Sequence, residues 1–272
     1  MFRELTSATN SLVKVFRDAL SEGVTRDGWL AVEGPRLLEE ALDCASGRAP
    51  DRCQVHTALV RRSAAERFAT LIQRLPREAE VVQVPDAVFD RLALTETPQG
   101  IAALVELPSH TLEAAVTRRD ACLLIACGIQ DPGNMGSMIR SAQALGATAV
   151  LAMKETVSPF NPKAVRSSAG AIFRLPVFRN LQADELFARL RSAGVTIIAA
   201  DRHSSDSLAS ADLRSRAAFL IGKEATGVDE SMLRETGLRL SIPIRANINS
   251  VNAGVAAGIF LYEAARQRGF KY

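Results

Sequence analysis

Three short polar segments of this 272-residue chain hold the side chains best suited to chemistry. The first, DPGNMGSMIR, is a turn rich in proline and glycine that leads into a helical pattern and ends at Arg140. The second, LIGKEATGVD, carries Glu224 between two glycines, and the third, NINSVNAG, carries Ser250 and Asn252 before a run of small residues. Arg140 is the one cation within residues 121–153, a stretch that otherwise reads as protein core.

Each segment follows an apolar stretch that reads as a strand. In an α/β domain, glycine turns at the carboxyl ends of strands are typical of nucleotide or nucleoside binding. None of the three segments matches the dinucleotide fingerprint G-x-G-x-x-G, the P-loop or the G-x-S-x-G nucleophile elbow. The pattern therefore predicts a nucleotide or nucleoside ligand, and it disfavours a standard dinucleotide fold and a P-loop NTPase.

Plainer interpretations exist for each segment taken alone. The first could be a simple turn with an Asn or Gly helix cap, and Glu224, interpreted here as buried, could complement a helix dipole. Ser250 could be an N-cap and Asn252 a first-turn residue. The small residues at 254–258 predict close helix packing. The order of all three segments within one domain favours the functional interpretation.

Apolar periodicity predicts the elements that must position these side chains. In the N-terminal third we predict helices at 7–20, 35–45 and 63–75, and strands at 29–34, 55–60, 80–84 and 99–107. Further along we predict strands at 121–126, 148–152, 173–177, 195–199, 217–221 and 238–241, and helices at 133–146, 161–168, 182–193, 229–235 and about 250–268. The alternation predicts an α/β fold, and the continuous apolar strands predict a largely parallel second sheet.

Residues 108–119 are polar, begin at a proline and precede a strongly apolar strand. We therefore predict a smaller domain at 1–107, a linker at 108–119 and a larger domain at 120–272.

Composition narrows the class of protein further. No apolar run reaches the roughly 18–20 residues of a membrane span, and the N-terminus has no apolar signal region, so a cytoplasmic location without membrane contact is expected.

The four cysteines form no C-x-x-C pair and lie far in sequence from the histidines; they are Cys44, Cys53, Cys122 and Cys127. Buried or free thiols are therefore expected, and no metal. The net charge is +3, with the basic excess in 119–272, which weakly favours a phosphate-bearing partner; an ordinary solvated surface explains it equally well.

Taken in order, the three segments resemble the motifs of the SpoU (TrmH) family of RNA ribose 2′-O-methyltransferases, within the SPOUT superfamily. The intervening VSPFNPKAVRSSAGAIFRLPV also fits, and the resemblance covers residues 120–268. The N-terminal third is similar to the L30e-like substrate-binding domain of many members, through LTSATNSLVK, LAVEGPRLLEEAL and TETPQGIAALVE.

The resemblance implies a C-terminal α/β domain with a deep trefoil knot, S-adenosylmethionine (SAM) bound within it, and a homodimer. It implies cofactor contacts by Gly222, Ile242, Val251 and Asn252. It implies that the catalytic positions are Asn134, Arg140, Glu224, Ser250 and Asn252. Where members often have a second serine in the third motif, this chain has Gly254, so no role for that hydroxyl carries over.

The family's arginine has been proposed as the base for the 2′-hydroxyl. A guanidinium is a poor base near neutrality, so Arg140 fits a phosphate clamp more easily, and both roles stay open. We expect both domains to grip RNA, with Lys14, Arg17, Arg36 and Arg166 as candidates, each of which could equally be a solvated surface charge.

Ribosomal RNA is the expected substrate and transfer RNA the alternative. Members that confer resistance to ribosome-targeting antibiotics share the two-domain layout and fit equally. A catalytically silent RNA-binding or ribosome-assembly protein on the same fold is the competing class.

Overall fold

The computed structural model describes residues 3–47, 52–224, 226–245 and 247–270. These residues divide into two compact units. The first extends to Ser109 and also takes in Phe160–Arg166; the second holds His110–Pro159 and the rest of the described chain from Ser167. The inclusion of Phe160–Arg166 in the first unit was not expected from sequence.

The first unit is built around a mixed sheet. Its elements are β1 (Arg3–Glu4), α1 (Ser11–Glu22), β2 (Leu30–Glu33), α2 (Pro35–Ala45), β3 (Gln54–Arg61), α3 (Ala69–Gln73), β4 (Glu80–Val84), α4 (Asp86–Asp90) and β5 (Ile101–Glu106), with a 3-10 helix at Arg62–Ala64. The strand order is β1-β4-β3-β5-β2, in which β5 runs antiparallel to both of its neighbours.

Helix α1 illustrates how the sequence forms these elements. The side chain of Asn10 accepts a hydrogen bond from the Leu12 amide at 2.9 Å and so caps the first turn. Apolar residues at helical spacing, Val13, Phe16, Ala19 and Leu20, form the buried face. Gly23, at φ 95°, ends the helix in a conformation that favours glycine.

The second unit contains a parallel sheet. Its elements are α5 (Leu112–Thr117), β6 (Cys122–Ala126), α6 (Pro132–Ala144), β7 (Ala149–Met153), α7 (Pro162–Ser167, which begins in the first unit), β8 (Val177–Leu181), α8 (Ala183–Ser192), β9 (Thr196–Ala200), β10 (Ala217–Ile221), α9 (Glu230–Leu233), β11 (Leu238–Leu240) and α10 (Ala253–Gln267), with 3-10 helices at Ala171–Phe173 and Leu208–Ser210. The order is β11-β9-β10-β6-β7-β8.

Every strand pair that the structure describes in this second sheet is parallel, as predicted. All residues of β6, β7 and β10 are buried, which explains their uninterrupted apolar sequences. On one face α8 packs into the core through Leu186, Phe187 and Leu190. On the other, Phe260 of α10 contacts Phe219 of β10 with a ring separation of 5.8 Å. The α/β fold class is therefore confirmed, and the knot stays a prediction.

Two predicted elements were wrong. The strand expected at 173–177 lies at Val177–Leu181 instead, because Pro176 lacks the amide needed inside a strand, and Ala171–Phe173 forms a 3-10 helix. The helix expected at 63–75 is reduced to the 3-10 turn Arg62–Ala64 and the short α3. The local pattern of these two segments does not distinguish between short elements.

The expected linker, 108–119, contains helix α5. Thr111 caps it by accepting from the Ala114 amide at 3.2 Å, and Ala115 and Val116 are buried in the core of the second unit. Leu112, Ala115 and Val116 share one helical face, a signal that the surrounding polar residues concealed. The domain boundaries themselves stay a prediction.

Among the helices of the described residues, none combines the length and the hydrophobicity that crossing a membrane requires.

Candidate active site

The three sequence segments lie at one edge of the second sheet. They follow β6, β10 and β11, and because the strands are parallel, their carboxyl ends meet at that edge. The loop after β9 reaches the same edge, since β9 lies between β10 and β11.

The first segment begins helix α6. Asp131, not Asn134 or a glycine, is the N-cap: its carboxylate accepts from the Asn134 amide at 2.9 Å, and Pro132 occupies the first turn. The side chain of Asn134 is therefore released from capping. Arg140 lies further along α6 and is exposed; among the residues that the structure describes, it has no hydrogen-bond or ion-pair partner.

The second segment is a tight loop after β10. Lys223 and Gly227 close it with two backbone hydrogen bonds of 3.0 and 2.8 Å. A Cβ on Gly222 would lie 2.2 Å from the carbonyl carbon of Gly227, so only glycine fits there. Glu224 lies within the closed loop and is exposed, so the expectation of a buried acid was wrong. The loop presents the carboxylate instead of enclosing it.

The third segment leads into helix α10, and Asn252 is its N-cap. Its Oδ1 accepts from the backbone amides of Gly254 and Val255, at 2.9 and 3.3 Å. Asn252 is therefore not a first-turn residue, and the capping role considered for Ser250 belongs to it. Because Oδ1 is held by the helix, the orientation of the Asn252 amide is determined, and Nδ2 points away from the helix.

A chain of side-chain hydrogen bonds joins the three segments. Asn252 Nδ2 donates to Asn134 Oδ1 at 2.8 Å, and Asn134 Nδ2 donates to Glu224 Oε1 at 2.5 Å. Each amide has a single consistent orientation, because the cap orients Asn252, Asn252 orients Asn134, and Asn134 then presents its donor to the carboxylate. We call this arrangement the amide chain.

Close packing of α6 on α10 supports the amide chain. A Cβ on Gly254 would lie 3.2 Å from Ser137 Cβ and 3.2 Å from Asn252 Oδ1. One turn later, a Cβ on Gly258 would lie 3.6 Å from Ser141 Oγ, an ordinary contact. The close helix packing predicted from the small residues is therefore confirmed, and Gly254 is the tighter position.

We expect Gly254→Ala to be less stable than Gly258→Ala by about 1–3 kcal/mol, because only the former overpacks the helix contact. Both substitutions replace a helical glycine by alanine, so the gain in helix propensity cancels in the comparison. Chemical denaturation of the two variants measures the difference, and adding Ser137→Gly should reduce it. Equal stabilities would contradict the packing argument.

A cavity of about 750 Å³ opens beside the amide chain. Of the residues predicted from sequence, Gly222, Glu224, Ile242, Ser250 and Val251 line it. Asn134 and Asn252 do not line it but reach it through Glu224, and Arg140 lies outside its lining.

Sequence reasoning missed the loop after β9. Asp201, Arg202 and His203 line the same cavity, and Arg202 Nε donates to His203 Nε2 at 3.0 Å. The available signal was a polar DRHSSDS run directly after an apolar strand, next to the two strands whose loops had been identified.

The cysteine nearest these loops is unsuited to nucleophilic chemistry. Cys127 follows β6, and its sulfur contacts Met232 Sδ at 3.3 Å. Burial, and next the charge of Asp229, raise the pKa of the Cys127 thiol to about 11, so it stays protonated at neutral pH. All four cysteines are buried thiols, and no group of three or more His, Cys, Asp or Glu residues in the described chain could hold a metal ion.

Comparison with known proteins decides the family. A model described as the SpoU rRNA Methylase family matches residues 121–262, just over half of the chain. The chain belongs to the SpoU rRNA methylase family. The resemblance of the three motifs is thus confirmed. A second model, the MRM3-like substrate binding domain, matches residues 24–103 in the first unit.

Named relatives of this SpoU protein span almost its whole length. It is 30% identical over 261 residues to the 23S rRNA (guanosine(2553)-2′-O)-methyltransferase RlmP of Bacillus subtilis, covering 96% of this chain and 98% of the relative. A solved structure of the SpoU methyltransferase AviRb from Streptomyces viridochromogenes, in complex with AdoMet, matches with a TM-score of 0.82 and 28% identity, covering 97% of this chain and 100% of that one. An rRNA methyltransferase from Sinorhizobium meliloti matches with a TM-score of 0.80, 28% identity and coverage of 97% and 98%.

Proposed function

We propose that this protein transfers a methyl group from SAM to a ribose 2′-hydroxyl of ribosomal RNA. The observation that carries the proposal is the amide chain, which joins Asn252, Asn134 and Glu224 across three loops at the edge of a ligand-sized cavity. A purely structural protein has no need to orient an exposed carboxylate through a helix cap and a side-chain amide. The family and the names of its members support the same reaction.

The cavity fits the cofactor. Its volume lies within the roughly 300–1,000 Å³ of small-molecule sites. Gly222 contributes backbone to the wall, and its missing side chain lets the Gly227 backbone close the loop beside it. Ile242 and Val251 add apolar surface. These residues would hold SAM, with Asn252 shaping the pocket through its cap, and the sulfonium supplies an electrophilic methyl group. We expect Ser250 to face the reacting groups from the cavity wall.

The protein itself must align the ribose and remove the proton of its hydroxyl. Arg140 is suited to alignment, because its guanidinium is exposed and uncommitted within the described chain and can bind a phosphate with two parallel hydrogen bonds. A guanidinium has no acceptor, so we assign Arg140 as the clamp on the phosphate beside the target ribose.

We assign the RNA-gripping role to the first unit, in the region similar to a substrate-binding domain. Lys14, Arg17, Arg36 and Arg166 are all exposed, and all four fall within that unit. Lys14 and Arg17 lie one turn apart on α1, so they can contact successive phosphates. We retain 1–107 as the RNA-binding domain and 120–272 as the knotted catalytic domain, and a ribosomal substrate is consistent with the cytoplasmic location expected from sequence.

We further propose a homodimer, supported by exposed apolar side chains on α10. Val255 and Tyr262 are 51% and 52% exposed and lie on one helical face with Ile259 between them. Phe270 is 44% exposed and its ring contacts that of Tyr262 at 5.7 Å. Exposed apolar groups concentrated on one helix are typical of a protein interface.

Tyr262→Glu is expected to weaken dimerisation on the order of 30-fold or more, because it places a charge at the centre of an apolar contact. Sedimentation equilibrium of both proteins measures the dissociation constant. Leu94→Glu, at a position 46% exposed in the first unit, is the matched control and should leave it unchanged. A dimer equally stable in both variants would refute the assignment of this face.

Calorimetry and a transfer assay test the proposed function. The purified protein should bind SAM and transfer tritiated methyl to ribosomal RNA fragments in preference to transfer RNA. Transfer to tRNA alone would identify transfer RNA, the alternative, as the substrate and contradict a ribosomal one. Absence of SAM binding would favour the silent RNA-binding protein and overturn the proposal.

A further inference from the structure

The proposed reaction needs a group that takes the proton of the ribose hydroxyl. Arg140 has no acceptor, and the amides of Asn134 and Asn252 are weak bases whose oxygens are occupied by the Asn252 donor and the α10 amides. Of the assigned site residues, this leaves Glu224 as the strongest acceptor. An ionised carboxylate has acceptor capacity on both oxygens.

The structure leaves one of those oxygens available. Asn134 Nδ2 donates to Oε1 of Glu224, and no further partner of Glu224 occurs in the part of the chain that the structure describes. The neighbouring cation, Lys223, is directed to Asp229, with its Nζ 3.8 Å from Oδ2. The side chain is exposed and also lines the cavity, so Oε2 is accessible both to substrate and to water.

We infer that Glu224 is the general base of the reaction, oriented by the amide chain. The inference rests on the proposed function, and it assigns a role that Arg140 cannot fill. As the 2′-oxygen bonds to the methyl carbon, its O–H bond breaks and the proton passes to Glu224 Oε2. The electron pair of the former carbon–sulfur bond stays on sulfur, which leaves neutral. The proton then passes from the exposed carboxyl to water.

The amide chain explains how an exposed glutamate can serve as a base. A free glutamate side chain has many rotamers, and each one lost costs entropy. The Asn134 amide holds Oε1 in place, and its own orientation is set by the α10 cap through Asn252. The position of Oε2 is therefore fixed, while the atom stays accessible to substrate and water.

The test compares Glu224→Gln and Glu224→Asp with the wild type at saturating RNA and SAM. Glutamine keeps an oxygen for Asn134 but cannot accept the proton, so we expect kcat to fall on the order of 100-fold or more. Aspartate keeps the carboxylate and should retain more activity than glutamine. Equal activities of the two variants, or a Glu224→Gln rate within about threefold of wild type, would overturn the inference.

The acid limb of the pH–rate profile should disappear in Glu224→Gln. Other charged or titratable groups line the same cavity, namely Lys223, Asp229, Glu230, Arg245 and the loop after β9. If Glu224 causes the acid limb, the limb must persist in His203→Gln, which removes the one imidazole of that lining. An acid limb lost in His203→Gln and kept in Glu224→Gln would assign the base elsewhere.

Two readouts do not depend on turnover. Calorimetry should give Glu224→Gln a SAM affinity within about threefold of wild type, which excludes misfolding as the cause of lost activity. The side-chain amide NMR signals of Asn134 should shift with pH in the wild type and not in Glu224→Gln.

Glu235→Gln, which removes a carboxylate paired with Arg191, is the matched control and should leave rate and pH profile unchanged. A wild type that transfers no methyl at all would overturn the proposed function itself.

Discussion

Asn252→Asp is expected to lower methyl transfer by about 100-fold while leaving the fold intact. The new carboxylate still caps α10, because one oxygen can accept from the Gly254 and Val255 amides as Asn252 does now. A negative charge at a helix N-terminus is also favourable. The thermal midpoint should therefore stay the same or rise slightly.

The loss comes from the second oxygen, which cannot donate to Asn134. The two oxygens would repel each other, so the Asn134 amide must rotate and present its own oxygen to Glu224 in place of a donor. Removal of a positioned hydrogen bond from an active site typically costs about 10²–10³ in rate. A single atom exchange at Asn252 thus disorients a carboxylate two side chains away.

Asn247→Asp is the matched control, because it adds the same charge to an exposed position in the same loop outside the cavity lining. Steady-state kinetics and thermal denaturation of the two variants separate charge from orientation. Comparable rates for Asn252→Asp and Asn247→Asp would mean that the amide chain has no catalytic role.

Arg140→Ala is expected to reduce methyl transfer by about 10²–10³ and to leave SAM affinity and thermal stability largely unchanged. The side chain is exposed, has no partner among the described residues and lies outside the cavity lining, so its removal disturbs neither packing nor cofactor. Arg140→Lys should recover part of the activity, because it keeps the charge but loses the two-pronged contact.

Salt dependence distinguishes a clamp from a base at Arg140. A phosphate contact contributes about 0.7–0.9 to the slope of log affinity for RNA against log salt. Arg140→Ala should therefore lower that slope by about this amount, and fluorescence anisotropy at several salt concentrations measures it. An unchanged slope together with lost activity would contradict the clamp.

Long, regular elements could be predicted from the sequence because each carries its own signal. Helix α2 was predicted at its observed bounds, and α6 and α10 within three residues, since apolar spacing and caps are local properties. Helix α5 and strand β8 were not, because short elements are stabilised by burial against distant chain segments, and local sequence does not show that burial.

The candidate site likewise has features that the sequence predicts and features that it does not. The three segments could be identified by residue type and order, and Gly222, Ile242 and Val251 do line the cavity. The amide chain could not be inferred, because its two bonds join residues 90 and 118 positions apart and depend on which oxygen each amide presents. The exposure of Glu224 follows from the closure of its loop, and the contribution of the loop after β9 follows from strand order; local pattern determines neither.

Mapping of ribose methylation tests the central claim most directly. A 2′-O-methyl group protects the adjacent phosphodiester from alkaline hydrolysis, because the attacking hydroxyl is blocked. We predict that ribosomal RNA from cells lacking this protein loses protection at one nucleotide, that the wild-type gene restores it and that the Arg140→Ala gene does not. An unchanged ribosomal RNA methylation map, or full restoration by Arg140→Ala, would contradict the account.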